Sequence, residues 1–148
     1  MFQLTPSIRL RRTPFSNRVE QAGATAFTVY NHMRLASFYE SPEADYRHLK
    51  TAVQVWDVSV ERQVEVIGPD ALRLVQMTTP RDMSRMQDDQ CYYIPMVDTD
   101  GKLMNDPVAI RLNQDRYWLS LADSDMLLYC KGLAAAGKLD VEVFEPDV

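Results

Sequence analysis

The sequence predicts an α+β fold with mostly antiparallel strand pairing. Three observations carry that prediction. Apolar residues recur at helical spacing in three separate stretches, alternating or continuously apolar strand-like runs lie between them, and short turn signals join successive strand runs. At 148 residues the chain fits one domain or part of a larger one. A domain of that size buries roughly 68–70% of its unfolded surface, enough for a real core.

The elements follow in order. Arg9, Arg11, Arg12 and Arg18 all precede the first acid, Glu20. Pro6 and Pro14 interrupt that segment, and it has neither an apolar signal core nor a clear amphipathic helix, so a structured, partly basic lead-in is expected. Pro42 and Glu43 open a helix in which Tyr46, Leu49 and Val53 fall at i, i+3 and i+7, and the helix gives way at Val55-Trp56-Asp57-Val58. Val64 and Val66 alternate with Gln63 and Glu65 in a half-buried strand closed by Gly68. Pro69 suits the first turn of the next helix, whose apolar face is Ala71, Leu72 and Val75.

Residues 91–97 read as one apolar, aromatic strand, and Asp98-Thr99-Asp100-Gly101 turns it into a return strand over residues 103–112. Asn105-Asp106-Pro107 interrupts the return strand. A proline cannot donate to the ladder, so a bulge or an edge is expected there. Asn113-Gln114-Asp115 turns the chain into a strand over residues 117–121. Asp123 or Ser124 is placed to cap a helix carrying Met126, Leu127, Cys130, Leu133 and Ala134 on one face, with Gly137 ending it. Alternation from Leu139 to Phe144 makes a last strand, and the stop at residues 145–148 reads as an interruption.

Composition narrows function by exclusion. Sixteen Lys and Arg against 21 Asp and Glu leave a net charge of −5, the wrong balance for a nucleic-acid binder. No apolar run approaches the ~18–20 residues of a membrane helix. Cys91 and Cys130 form neither a zinc pattern nor a disulfide framework, and His32 and His48 are not at metal-ligand spacing, so no metal site is expected. A reduced cytoplasmic protein is the default.

No G-x-S-x-G elbow, P-loop or G-x-G-x-x-G is present, which removes the anchor for hydrolase, P-loop and Rossmann chemistry. Asp106 stands out, because a carboxylate inside an apolar β run is costly unless it is paired, exposed at an edge or facing a ligand. Tyr92 and Tyr93 lie one hairpin arm away and alternate faces, so one of them points to the Asp106 side. Sheet packing is the plainer reading of both tyrosines.

Four motifs then suggest a family: Trp56-Asp57-Val58-Ser59, residues 67–72 (IGPDAL), Tyr93-Ile94-Pro95-Met96, and residues 100–107 (DGKLMNDP). In that order and spacing they resemble the N-terminal half of the folate-dependent aminomethyltransferase family, which includes the glycine-cleavage T-protein. Thr13-Pro14-Phe15, residues 28–33 (TVYNHM), residues 53–64 (VQVWDVSVERQV) and residues 122–125 (ADSD) ahead of Lys131-Gly132-Leu133 look most like its dimethylsulfoniopropionate demethylase branch. The resemblance covers essentially residues 1–148.

The resemblance implies a tetrahydrofolate site within a three-domain ring, of which this chain is the N-terminal portion, with the second half absent. Asp106 matches the second acid of the family's D-D-L motif, which contacts the folate pterin, and so takes a cofactor-binding and catalytic role. Tyr93 matches the motif tyrosine lining the same site. Glu61 stands where the T-protein pattern has Met, Asn105 replaces the first acid and Pro107 replaces Leu; these departures favour the demethylase branch. Trp56 and Glu61 are the candidate substrate residues, and the partners implied are a small-molecule methyl donor and a companion chain supplying the missing half. The alternatives are a T-protein-like or dehydrogenase-linked folate domain transferring one-carbon units from an amine, a truncated non-catalytic folate-binding or interaction module, and an unrelated α+β domain.

Overall fold

The computed structural model describes residues 9–122 and 125–147. The chain divides into two units, the first ending at Val60 and the second beginning at Glu61.

The first unit contains a short helix α1 (Ser16–Gln21), a hairpin of β1 (Ala26–Tyr30) and β2 (Met33–Phe38), and a helix α2 (Pro42–Thr51). From Arg9 onward the basic lead-in is structured, with the Arg12 and Arg34 guanidiniums both contacting Glu20, at 3.0 and 2.8 Å. The hairpin is an element that the periodicity did not reveal. Its two-residue turn, Asn31-His32, has φ of +48° and +62°, which matches the turn pattern that suits the strand twist. Asn31 is the kind of residue that tolerates that region, and its Nδ2 donates to the Val60 carbonyl at 2.8 Å.

Helix α2 starts where expected, with Ser41 accepting from the Ala44 N–H at 3.1 Å as its N-cap, but it ends at Thr51, because Ala52 turns to extended backbone, and Val53 lies outside it. None of its residues is buried. The chain then runs without regular structure through Val53, Val55, Trp56 and Val58, which are 89, 93, 67 and 62% exposed.

The second unit is built on a five-stranded, all-antiparallel sheet in the order β4-β7-β8-β3-β9. Its strands are β3 (Arg62–Ile67), β4 (Cys91–Tyr93), β7 (Val108–Asn113), β8 (Arg116–Leu121) and β9 (Glu142–Phe144). Helices α3 (Ala71–Thr78) and α4 (Met126–Gly137) pack on it, and a two-stranded ladder of β5 (Met96–Val97) and β6 (Leu103–Asn105) extends from it. The core lies under the helices. Val64 and Val66, Ala109, Tyr117, Leu119 and Val143 point from the sheet at Leu74, Val75, Met126 and Cys130. This is the α+β architecture with antiparallel pairing and packed helices that the sequence predicts.

Three of the local expectations that follow need correction, and a fourth is not tested. The apolar stretch 91–97 is two strands, because Pro95 interrupts one arm and Pro107 the other, one residue out of register, with Ile94 opposite Pro107 and Pro95 opposite Asp106. Neither proline can donate to a ladder, so the long hairpin splits into β4–β7 and β5–β6, with Ile94 N–H donating to the Pro107 carbonyl at 2.9 Å. Pro69 lies two residues ahead of α3, in the turn leading to it. Gly137 is the last helical residue of α4, and Lys138 takes the left-handed position, with φ +49°. The capping role given to Asp123 or Ser124 falls outside the described residues, and Asp125 at the helix start makes no side-chain cap bond.

Candidate functional site

The break between β6 and β7 is what positions the candidate site. Tyr93 pairs with Val108 in the β4–β7 register, and Asp106 lies two residues before Val108. In antiparallel pairing such a diagonal neighbour is within reach of a long aromatic side chain. The Tyr93 hydroxyl donates to Asp106 Oδ2. Tyr92, one residue earlier, points the other way and packs against the core, so alternation divides the two tyrosines as expected.

Each member of the pair is held by its backbone. The Asp106 N–H donates to Asn105 Oδ1 at 2.9 Å. Asn105 is 5% exposed, and its Nδ2 donates to the Ala122 carbonyl at 3.3 Å, just beyond the end of β8. Pro107, the next residue, confines Asp106 to extended backbone. On the other arm, Arg81 Nη1 donates to the Tyr93 carbonyl at 2.8 Å, and its guanidinium stacks 4.4 Å from the Tyr92 ring centroid. Sequence reasoning missed Arg81 and gave Asn105 no role of its own. Neither carries a local signal, since both act through pairings that the fold creates.

The site is open. Tyr93 is 59% exposed and Asp106 half-buried. The hydrogen bond to Asp106, with smaller contributions from burial and the carboxylate charge, raises the Tyr93 phenol above its ordinary pKa. Asp106 Oδ1 accepts no hydrogen bond among the described residues. The pair therefore offers an aromatic face and an available carboxylate oxygen side by side, the groups that a flat, N–H-rich ring takes.

The other two predicted site residues are placed differently. Trp56 lies in the first unit, on the exposed stretch after α2, with its indole two-thirds exposed. Glu61 is the first residue of the second unit, beside Arg62, which makes a bidentate ion pair with Glu145 including an Nε–Oε1 bond of 2.7 Å. Among the described residues no three His, Cys, Asp or Glu side chains are grouped to hold a metal ion. No helix among them is long and apolar enough to cross a membrane.

Comparison with known proteins gives consistent results. Residues 15–144 match the family described as GCVT N-terminal domain. The whole chain is 58% identical over 148 residues to the dimethylsulfoniopropionate demethylase DmdA of Ruegeria pomeroyi, covering 41% of that protein. It is 33% identical over 106 residues to a probable aminomethyltransferase of Halobacterium salinarum, covering 72% of this chain and 29% of the other. The structure resembles the glycine cleavage system aminomethyltransferase T of Bartonella henselae with a TM-score of 0.76 at 21% identity, over 93% of this chain and 38% of that one. At that identity the likeness speaks to the fold. The chain thus spans less than half the length of each of these proteins.

Proposed function

The chain belongs to the GCVT N-terminal domain family, and from that premise we propose that it serves tetrahydrofolate-dependent methyl transfer from a sulfonium such as dimethylsulfoniopropionate. The observation that carries this reading is the Tyr93–Asp106 pair. It falls on the two positions that the family resemblance assigns to the folate site. The 58% identity to a demethylase favours a sulfonium donor over an amine donor.

Bound tetrahydrofolate supplies the nucleophilic N5 that accepts the methyl group. The methyl–sulfur bond would break with its electrons returning to sulfur, so that a neutral thioether leaves and the alkylated N5 sheds its proton to solvent. Because the donor is already activated, the work of the protein is positioning and electrostatics. Asp106 would hold the pterin N–H groups through its available carboxylate oxygen, and its charge would favour positive charge on the amine being alkylated. Tyr93 lends its ring as one wall of that site and steadies Asp106 through the phenol. Trp56 and Glu61 are assigned substrate roles, each on its own chemistry: an exposed indole is a cation–π surface for a sulfonium, and a carboxylate is its counter-charge.

The same reading treats residues 1–148 as a partial folate-binding region completed by further polypeptide, a companion chain or a remainder. It places the reaction in the cytoplasm, in keeping with two unpaired cysteines. A non-catalytic folate-binding module is the second reading, favoured by the exposed apolar stretch from Val53 to Val58.

Calorimetric titration of the chain with tetrahydrofolate, beside an Asp106→Ala control, tests the proposal. Micromolar binding that the control loses supports it, and demethylation of a sulfonium then separates the enzyme from the module. Equal binding by the two proteins removes Asp106 from the site.

A further inference from the structure

We propose that Asn105 is a positioning residue for the Tyr93–Asp106 pair, fixing the Asp106 backbone so that its carboxylate meets the phenol. This deepens the folate reading and rests on it for its consequence in binding. The pair itself does not depend on that reading.

Asp106 stands in the gap between two ladders, where no strand neighbour takes its N–H. A backbone donor left that way is both poorly satisfied and free to rotate. Asn105 removes both problems from one buried side chain. Its Oδ1 takes the Asp106 N–H at 2.9 Å, and its Nδ2 is bolted to the Ala122 carbonyl at 3.3 Å. The gap is thereby tied to the end of β8, a central strand of the sheet, while Pro107 limits the backbone from the other side. At 5% exposure the amide is held by the core and has little freedom to relax.

The residue type also matters. An amide is the one side chain of this size that accepts and donates at once without a charge. A carboxylate at the same place would turn an acceptor toward the Ala122 carbonyl and set a second negative group beside Asp106. Asn105 therefore orients the acid that faces the ligand without adding a second negative charge beside it.

The direct readout is the Tyr93 phenol, followed by ultraviolet difference titration of the full chain against its Tyr93→Phe variant. Asn105→Ala is expected to return the phenol toward its ordinary titration range while circular dichroism stays native. Tetrahydrofolate affinity in the same variant falls about tenfold or more. If Asn105→Ala fails to fold, Asn105→Gln decides the matter, since it keeps the amide chemistry but shifts it by one methylene. A partial return of the phenol then supports positioning. A folded Ala or Gln variant whose Tyr93 titration is unchanged overturns the proposal. The folate reading fails separately, when Asp106→Ala leaves affinity untouched while the phenol still responds to residue 105.

Discussion

The Tyr93 phenol donates to the Asp106 carboxylate across a diagonal of the β4–β7 pair, two residues out of direct register. The contact sits where Ile94-Pro95 on one arm lies opposite Asp106-Pro107 on the other and the two prolines break the hairpin ladder. Its pH signature follows from the raised phenol pKa, whose first cause is the hydrogen bond to Asp106. A folded-state value above the unfolded one contributes stability that is full below about pH 10 and lost as pH rises through the folded value. Tyr93→Phe is therefore expected to be less stable than the parent in urea unfolding at neutral pH. The difference closes as pH is raised past the phenol's range. A gap that stays constant with pH would assign the loss to ring packing.

A second linkage lies in the first unit, where the Thr13 hydroxyl donates to Asp57 Oδ2 at 2.6 Å and the Ser59 N–H donates to Oδ1 at 3.0 Å. Burial works to raise the Asp57 pKa, but these donors more than offset it and hold the carboxyl below its ordinary value. A lowered value contributes stability that is full above the unfolded pKa, near 4, and lost as pH falls through the folded one. Thr13→Val leaves the acid without its strongest donor and is expected to cost about 1–2 kcal/mol near pH 7. In urea melts that cost shrinks toward zero below about pH 3. An acid-independent cost would point to Thr13 packing alone.

How much of this was readable beforehand depends on the range of the interaction. Helices α2, α3 and α4, the central strands and the interruption at Asn105-Asp106-Pro107 were legible because periodicity and turn chemistry are local. The split of residues 91–97 was not, because it needs Ile94-Pro95 to lie opposite Asp106-Pro107 in register, a non-local fact. The β1–β2 hairpin escaped because its turn pairs Asn31 with His32, where the familiar signal has glycine second. Asp106 and Tyr93 were legible as candidates, yet their bond, the Arg81 contact and the Asn105 anchor are products of tertiary placement.

Gly68 illustrates the same division. Its place at the end of β3 is a local signal, but the reason for glycine lies 72 residues away. The residue has φ +140°, and a Cβ there would lie 2.4 Å from the Asp140 carbonyl oxygen. Gly68→Ala is therefore strained in backbone and blocked in space, and is expected to cost about 2–4 kcal/mol. Chemical denaturation measures that loss. A variant as stable as the parent would mean that the segment at Asp140 yields.

The two cysteines give a test of the core. Cys130 is fully buried on α4, and burial pushes its thiol up to about 12, whereas Cys91 is exposed on edge strand β4. The thiolate is the reactive form. Ellman's reagent at pH 8 is expected to modify Cys91 alone in the folded chain, and both thiols once denaturant is added. Rapid modification of both thiols under native conditions would show that α4 opens readily from the sheet.

The stretch from Val53 to Val58 bears on the proposed companion. Four apolar side chains, Val53, Val55, Trp56 and Val58, stand more than 60% exposed in succession. Runs of that kind on a folded protein mark interaction surfaces or aggregation sites. The relatives are more than twice as long as this chain, so the occupant proposed here is the polypeptide they carry beyond the matched region. Trp56 reports on it, because its indole is two-thirds exposed while Trp118 is half-buried. Acrylamide is expected to quench Trp56 readily in the chain alone, and Trp118→Phe isolates that signal. Mixing with the remaining length of a family member shifts the Trp56 emission to the blue and protects it from quenching. Val55→Ser weakens that response without altering the circular dichroism of the chain. Emission that does not move on mixing would assign the ridge to contacts between copies of this chain, which sedimentation would then detect as self-association lost in the same variant.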